Sequence, residues 1–313
     1  MATQTLRPLG LDVGPDHVLG TYTSHLAGPL VLVSGGMHGN EPGGVIGIRR
    51  VLARLHAERP VVNGRVVGLA GNVGALRNGR RYIDRDLNRQ WDPPALDKLG
   101  TIGAHGFAED IEQLELLDDF AREIERAQGP VMLLDLHSFS APGVPFIVTC
   151  DRPDNLELAT QLLLPSIAGL ERAIPGTTLD WFMHRGHRAL GVEGGQHTDP
   201  MTAAVHEASI WVVLVAIGIL AEEDVPDLDH HRAVLDRAAS GMPQQVTVTY
   251  RHGITPDDAF RMNPGFCNLQ AIEEGQVLAI DARGEVRAPH AGWILLPLYQ
   301  PVGNDGFFIG TLA

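Results

Sequence analysis

Short apolar runs alternate with amphipathic stretches over the first two-thirds of this chain. Pro29–Ser34 is a nearly continuous apolar run, which is typical of a strand buried on both faces of a sheet. Val45–Glu58 instead has apolar residues at helical spacing and arginines on the opposite face. The same alternation predicts further strands at Arg65–Ala70, Val131–Leu136 and Pro145–Thr149, and helices at Ala108–Gln128 and Asn155–Leu164.

The order of these elements predicts an α/β fold with a mostly parallel or mixed sheet flanked by helices. Parallel strands need crossover connections, and helices usually supply them. In sheets of this kind, ligands bind beyond the carboxyl ends of the strands. The candidate functional residues are therefore those that directly follow a predicted strand.

The pattern changes after about Glu222, in an acidic stretch that is followed by a short helix. From Gln244 the chain has period-two alternation, as in Val246–Tyr250, and frequent turn signals. We therefore predict two domains, an α/β domain at 1–240 and a small all-β domain at 241–313.

Composition restricts the classes of partner. The 313 residues are 44% apolar and 20% charged, as in soluble globular proteins, and the formal net charge is −14. Such an acidic balance argues against a nucleic-acid-binding protein, which normally has a basic face. The longest apolar run, Ala208–Ala221, is too short to span a bilayer and predicts a buried helix. We expect neither nucleic acid nor membrane as a partner.

Cysteine usage and the N-terminus both indicate the cytoplasm. Cys150 and Cys267 are the only cysteines and show no CxxC spacing, which argues against a disulfide framework. The first eight residues contain no apolar core of a signal peptide. The predicted location is therefore cytoplasmic.

A histidine and a glutamate follow the first strong strand on a glycine-rich turn. His38 and Glu41 are three residues apart, and His137 ends another apolar run. Zinc sites need such a third protein ligand, and catalytic ones keep a further position open. Asp135, two residues before His137, points to the same side of an extended strand and can orient a ligand or hold substrate. Ordinary surface-turn and structural histidines remain the alternative at this point.

The segment Arg80–Trp91 alternates charged residues with Tyr82, Ile83 and Leu87. This pattern predicts a half-packed segment, although a solvated charged loop is the simpler alternative. Arginine recognises carboxylates through its forked donors. An arginine beside Asn88 can hold a substrate carboxylate, while another arginine polarises a carbonyl.

Four segments together resemble one known family. Gly36–Glu41, Arg81–Arg89, Asp135–His137 and Val192–Gln196 occur in the order seen in the aspartoacylase/succinylglutamate desuccinylase family, a branch of the zinc carboxypeptidase-like hydrolases. The resemblance covers roughly residues 28–200. It implies a zinc carboxypeptidase-like fold for this part of the chain.

The resemblance also implies a catalytic group. According to the resemblance, His38, Glu41 and His137 bind one Zn²⁺ per chain, and Arg81 stabilises the developing oxyanion. Glu193 is then the general base and acid that activates water and protonates the leaving amine, which agrees with the roles of carboxylates in proton transfer. Without its neighbours, Glu193 is better interpreted as a glutamate in a glycine-rich turn.

Substrate contacts follow from the same resemblance. Asn88 and Arg89 correspond to residues that bind the α-carboxylate of the amino-acid product. Arg185 and Arg188 are candidates for a side-chain carboxylate, although neither aligns cleanly with the family's arginine. Relatives narrow the mouth of the site with a C-terminal β-domain that can lend a tyrosine. Tyr299 is the candidate here, and a core or edge-strand tyrosine is the stronger alternative.

Other features of this region depart from the family pattern or remain unassigned. Gly194-Gly195 occupies the place of a bulkier pair with proline. His184 and His187 are additional histidines, for which a substrate-pocket or surface role is favoured over a second metal site. His197, just after the glutamate motif, is a candidate neighbour of the site.

Taken together, the sequence predicts a zinc-dependent deacylase that hydrolyses the amide bond of a small N-acyl amino acid. The alternatives are a metallocarboxypeptidase acting on a peptide C-terminus and a non-catalytic zinc- or ligand-binding module. A biotinyl or lipoyl carrier is excluded for the C-terminal segment, because Lys98 is the only lysine. The acyl group, the amino acid and a homo-oligomeric state are left open.

Overall fold

A computed structural model describes residues 13–102, 106–149 and 152–312. Cys150 and the first eight residues, for which the sequence made predictions, lie outside the described part of the chain. Cys267 is a free cysteine.

Strands and helices alternate up to about residue 240, and strands predominate afterwards. The described strands are Val18–Thr23 (β1), Leu26–Gly35 (β2), Asn63–Ala70 (β3), Val131–Phe139 (β4), Phe146–Thr149 (β5), Ser166–Ala168 (β6), Arg188–Gln196 (β7), Gln245–Gly253 (β8), Arg261–Met262 (β9), Gln270–Ile272 (β10), Val277–Asp281 (β11), Gly284–Arg287 (β12), Gly292–Leu295 (β13) and Asp305–Leu312 (β14). The described α-helices are Gly43–Glu58 (α1), Val73–Asn78 (α2), Pro93–Ile102 (α3), Ala108–Glu125 (α4), Pro153–Gln161 (α5), Leu170–Ala173 (α6), Thr178–His184 (α7), Pro200–Ala216 (α8) and Leu228–Ala238 (α9).

The large sheet is mixed, as predicted. Its strand order is β1-β3-β2-β4-β7-β5-β6-β8-β14-β13-β10. The strands β3, β2, β4 and β7 are parallel to one another, whereas β5 is antiparallel to β7. A separate small antiparallel sheet has the order β12-β11-β9. The predicted α/β class with a small C-terminal β-sheet is confirmed.

Most strands of the C-terminal segment extend the large sheet. The strand β8 pairs in parallel with β6, so that Val246 lies opposite Ile167. The strands β14, β13 and β10 then continue the sheet edge. The division into domains at residues 240 and 241 stays a prediction.

Both faces of the central strands are buried, which explains their continuous apolar runs. Alternate residues of β2 enter different cores: Val31 and Val33 pack in the core beneath α1 and α8, whereas Leu30 and Leu32 pack on the face covered by α4. The buried helix predicted at Ala208–Ala221 is α8, which begins earlier and ends at Ala216. None of the helices in the described residues combines the length and apolarity needed to cross a membrane.

The sheet order positions the site. The strands β2, β4 and β7 are adjacent and parallel, so their carboxyl ends meet at one edge. His137 in β4 lies directly opposite Glu193 in β7. Glu193 is therefore part of a strand, and the alternative of a glycine-rich turn is wrong.

Candidate active site

His38, Glu41 and His137 converge at this edge. One candidate ligand atom from each residue lies within 4.8 Å of the other two, and all three side chains are buried. The turn after β2 brings the first two together, because the backbone N–H of Glu41 donates to the carbonyl of His38 at 3.1 Å. Only glycine fits at position 39, since a Cβ there would lie 2.0 Å from the carbonyl carbon of Ala75. The sequence thus builds a tight turn flush against α2.

The two imidazoles present the same ring nitrogen to the centre of this group. Nδ1 of His38 is 2.8 Å from one oxygen of Glu41, and Nδ1 of His137 is 3.2 Å from the other. Nε2 of His38 faces Asp86 at 3.1 Å, and Nε2 of His137 faces Asp135 at 3.0 Å. A carboxylate behind a histidine fixes the tautomer and orientation in metal sites. Asp135 thus lies where it can orient the His137 ring, one of the two roles that the sequence suggested for it, whereas the sequence assigned no role to Asp86.

The charges of the group balance one another. Burial opposes ionisation of Glu41, yet the facing His38 and His137 hold the pKa of its carboxyl well below the usual value. Burial likewise opposes ionisation of Asp86, and His38 with Arg81 holds its pKa well below the usual value. Two imidazoles and a carboxylate, backed by two further carboxylates, form a donor set that suits Zn²⁺. The residues present therefore fit the metal that the sequence predicts.

Glu193 lies beside this group without a fixed partner. Its Oε2 atom is buried and has no hydrogen-bond partner among the described residues. Burial, with help from the charge of Glu41, raises the pKa of Glu193 to about 8, although His137 and Arg81 act in the opposite direction. A carboxyl group that is free and has a raised pKa can accept and return a proton near neutral pH.

Arg81 is held at the site by two carboxylates. Its guanidinium contacts Asp86 at 2.9 Å and Glu41 at 3.5 Å. Burial lowers the pKa of Arg81, but Asp86 and Glu41 outweigh that effect and raise it. A fixed cation is thus present next to the candidate metal ligands.

Asn88 and Arg89 line the same pocket as Arg81. The side-chain oxygen of Asn88 accepts hydrogen bonds from the backbone N–H and the hydroxyl of Thr178, at 2.9 and 3.0 Å. Its amide nitrogen is 3.3 Å from Nε2 of His137. Arg89 donates to the carbonyl of Asn88, and burial lowers the pKa of Arg89, against the charge of Asp86. Thr178, from α7, was not found by sequence reasoning because it is distant in sequence and its motif is ordinary.

The other candidate substrate residues lie elsewhere. Arg185 stacks on Trp181, with its guanidinium carbon 3.9 Å from the ring centroid, and Arg188 donates to the carbonyl of Asp154. The hydroxyl of Tyr299 donates to the carbonyl of Asn263 and accepts from a backbone N–H. None of the three is among the described residues that line the pocket.

A hydrogen-bond chain links the metal-ligand group to the C-terminal segment. The backbone N–H of Ser138 donates to Glu41 at 2.9 Å, and the Ser138 hydroxyl lies 2.8 Å from His197. His197 contacts Gln300 at 3.2 Å, and Asn40 donates to the same Gln300 oxygen at 2.8 Å. The candidate position of His197 near the site agrees with this chain. Gln300 could not be found from local sequence, because 260 residues separate it from Asn40.

The metal-ligand group, Arg81 and Glu193 line a cavity of about 140 Å³. Its polar lining includes His38, Glu41, Arg81, Asp86, Asn88, Arg89, His137, Glu171, Glu193, Gln300 and Asp305. Its apolar lining includes Phe139, Val148, Leu170, Ile174, Leu179, Val192, Leu296, Leu298 and Phe308. The cavity therefore combines a charged region around the metal-ligand group with a largely apolar region.

His206 occupies the space that a side chain at position 194 would need. A Cβ at position 194 would lie 2.5 Å from Cε1 of His206, a fully buried residue of α8 whose side chain also lies against Gly43 and Gly47. Burial lowers the pKa of His206 to about 3, so the ring is neutral. The histidine supports the strand end that carries Glu193.

We expect Gly194→Ala to lower the free energy of unfolding by about 1–3 kcal/mol, as overpacking does, and to reduce kcat. Denaturant unfolding and steady-state assays measure the two effects. Gly100→Ala is the control, because a Cβ at position 100 meets no atom within 4 Å. Unchanged stability of Gly194→Ala would show that His206 can move aside.

Asp86→Ala tests the carboxylate behind His38. Loss of such a partner typically costs 10- to 100-fold in metal affinity. We expect the Kd for zinc, measured by chelator competition, to rise by roughly that factor. The control is Asp84→Asn, which removes an exposed charge from the same loop. An unchanged Kd would contradict the role of Asp86.

The fold and the site define an α/β protein with a His–Glu–His group at the carboxyl edge of its sheet. Residues 27–197 match the family described as the succinylglutamate desuccinylase/aspartoacylase catalytic domain, which is more than half of the chain. The chain belongs to this family.

Curated relatives match over shorter segments. A probable aspartoacylase of Synechococcus sp. (strain CC9605) is 34% identical over 143 residues, which are 41% of this chain and 40% of that protein. A succinylglutamate desuccinylase of Pseudomonas putida is 32% identical over 111 residues, 34% of this chain and 30% of that protein. The matched segments span less than half the length of these relatives.

Solved structures share the fold over nearly the whole chain. The product-bound ectoine utilization protein EutE (DoeB) from Ruegeria pomeroyi has a TM-score of 0.65 at 20% identity, covering 93% of this chain and 87% of that one. A succinylglutamate desuccinylase/aspartoacylase from Rhodobacter sphaeroides has a TM-score of 0.62 at 19% identity, covering 92% and 86%. At such identities the likeness concerns the fold.

Proposed function

We propose that this protein is a zinc-dependent deacylase that hydrolyses the amide bond of an N-acyl amino acid. The observation that carries the proposal is the convergence of His38, Glu41 and His137 within 4.8 Å, with the unpartnered carboxyl of Glu193 opposite His137. Family membership supports the reaction class.

The roles of the residues follow from their chemistry. His38, Glu41 and His137 would hold the ion, and Zn²⁺ in such a site supplies Lewis acidity that polarises a carbonyl and acidifies water. Glu193 accepts a proton from the water that attacks the amide carbon. It then delivers this proton to the leaving nitrogen as the C–N bond breaks, which yields a carboxylate and a free amine.

Two arginines have separate parts in the proposal. Arg81, fixed by Asp86, donates to the carbonyl oxygen as negative charge develops there, and such preorganised donors stabilise the transition state. Arg89 and the amide of Asn88 bind the α-carboxylate of the amino acid. The partly buried position of Arg89 strengthens its attraction for an anion, because the local dielectric is lower than that of water.

A small substrate is favoured over a peptide. Leu296, Leu298 and Gln300 from the C-terminal segment line the cavity, and its volume is about 140 Å³. A metallocarboxypeptidase needs a cleft that is open to a long chain. The C-terminal residues reduce that opening.

Release of free amine from a panel of N-acetyl and N-succinyl amino acids tests the proposal, with zinc content measured on the same protein. We expect turnover of at least one compound and about one zinc per chain. Peptides in the same assay distinguish a carboxypeptidase, which would release their C-terminal residue. If no amine is released and added zinc neither binds nor restores activity, the proposal is wrong.

A further inference from the structure

A buried glutamate outside the cavity contacts the segment 81–89, which we call the arginine loop. Glu109, in the first turn of α4, is fully buried and is not among the described residues that line the cavity. The proposed reaction assigns it no role. Burying a carboxylate is costly unless hydrogen bonds or charges compensate it. The partners of Glu109 therefore indicate its function.

Four N–H groups donate to this carboxylate. Its Oε1 atom accepts from the side-chain amide of Asn72 at 3.0 Å and from the backbone N–H of Ile83 at 2.6 Å. Its Oε2 atom accepts from the backbone N–H groups of Asp84 and Arg85, at 3.0 and 3.2 Å. Each oxygen is thus used twice, and its hydrogen-bond donors in the described part of the chain are uncharged. Hydrogen bonds to an ionised acceptor are stronger than neutral ones and hold their donors in place.

The arginine loop has no regular structure where Glu109 contacts it. Residues 81–86 belong to no helix or strand, so these N–H groups have no partners in a helix or a sheet. Other contacts also join the loop to α4: Asp84 accepts from the backbone N–H of Ala108, and Arg85 pairs with Asp110. These contacts do not involve Glu109. Without Glu109 the loop would remain attached to α4, but its backbone would lose its fixed position.

The backbone that Glu109 holds leads directly to the site. Asp86 follows Arg85, and its carboxylate lies 3.1 Å from Nε2 of His38 and 2.9 Å from the guanidinium of Arg81. A displacement of residues 83–85 would therefore move both the carboxylate behind His38 and the cation that this carboxylate fixes.

We propose that Glu109 is a positioning residue of the active site, which sets the positions of Arg81 and Asp86 through the backbone of residues 83–85. This inference rests on the proposed deacylase function and adds a group that acts from outside the cavity. Asn88, from the proposed α-carboxylate site, is held separately by Thr178 at 2.9 Å. Glu109 should therefore affect kcat and zinc affinity more than KM.

Glu109→Gln tests the hydrogen bonds without changing the shape of the side chain. Glutamine has one acceptor oxygen, and its NH₂ group would face two of the four N–H donors whichever way the amide is turned. We expect kcat to fall by about 10- to 100-fold, the Kd for zinc to rise by about tenfold and KM to stay within about threefold. Amine release and chelator competition measure these quantities.

The matched control lies in the same helix. Glu123 is also buried and accepts from Arg65 at 2.7 Å, about 21 Å further along α4. Glu123→Gln should lower stability but leave kcat and the Kd for zinc within about twofold, at a temperature where thermal unfolding shows both variants to be folded. If Glu109→Gln behaves in the same way, Glu109 is merely structural and the inference is overturned.

Glu109→Asp decides the question if Glu109→Gln does not fold. Aspartate keeps the charge and both acceptor oxygens, but it is one methylene group shorter, so the loop must shift to follow it. We expect a folded protein whose kcat is lower by about three- to tenfold. Wild-type values of both kcat and the Kd for zinc would overturn the inference.

Hydrogen exchange distinguishes this inference from the reaction itself. The amides of residues 83–85 should be protected in the wild type and should lose protection in the Glu109 variants, whereas those of β4 should not. Retained protection at 83–85 in the variants overturns the inference even if the protein is an active deacylase. Lost protection together with a wild type that neither binds zinc nor releases amine overturns the proposed function alone.

Discussion

Glu193→Gln is expected to lower kcat by about 10³-fold or more, since general acid–base groups contribute roughly 10²–10⁴-fold and this residue would serve both proton transfers. Glutamine keeps the shape of the side chain but cannot accept and return the proton. Burial raises the pKa of the Glu193 carboxyl to about 8, and the amide of glutamine has no group that titrates in its place. Amine release under saturating substrate measures kcat.

Zinc content makes this result specific. Glu193 is not one of the three grouped ligands, so Glu193→Gln should retain about one zinc per chain. Glu222→Gln, a substitution of an exposed glutamate, serves as the control and should keep full activity. A Glu193→Gln protein that holds zinc and retains more than a tenth of kcat would contradict the assignment of the general base.

His38→Ala is expected to abolish both zinc binding and amine release. Two remaining protein ligands are fewer than catalytic zinc sites use. The substitution also leaves Glu41 and Asp86 without the ring that bridges them, and their carboxylates are buried or nearly so. Metal analysis after dialysis and the amine-release assay measure the two losses.

The matched control for this substitution is His184→Ala. His184 is an exposed histidine at the end of α7, with one ring nitrogen 2.7 Å from the carbonyl of Asp180. We expect it to keep zinc content and kcat within about twofold, since exposed substitutions usually have small effects. Loss of zinc in His184→Ala would instead support a second metal site, and retained zinc in His38→Ala would remove His38 from the ligand set.

Much of the architecture could be predicted because it depends on neighbouring residues. The run Pro29–Ser34 is apolar at successive positions because successive side chains enter two cores, and this requirement is visible in any buried strand. The turn that holds His38 and Glu41 is equally local, since glycine supplies the close approach to α2. The family resemblance then added Glu193 to the candidate site residues. The local sequence pattern alone would have placed Glu193 in a glycine-rich turn.

The strand β7 is one element that the hydrophobic pattern did not predict. It begins with an arginine and contains three glycines, so its sequence lacks the apolar run of β2 or β4. Gly191 is packed against Leu179 and Val148, and Gly194 against His206. These glycines reflect neighbours from other elements, which a local window does not contain.

The sequence by itself determined the strands β2 to β5, the helices α1, α4, α5 and α8, the mixed α/β class and the local group of His38 with Glu41. Only the tertiary structure decided that Asp86 lies behind His38 and that Gln300 joins the site. It also left Arg185, Arg188 and Tyr299 outside the pocket lining. The physical reason is that periodicity and turn chemistry act over a few residues. The distances between remote side chains depend instead on strand order, which is set by burial summed over the whole chain.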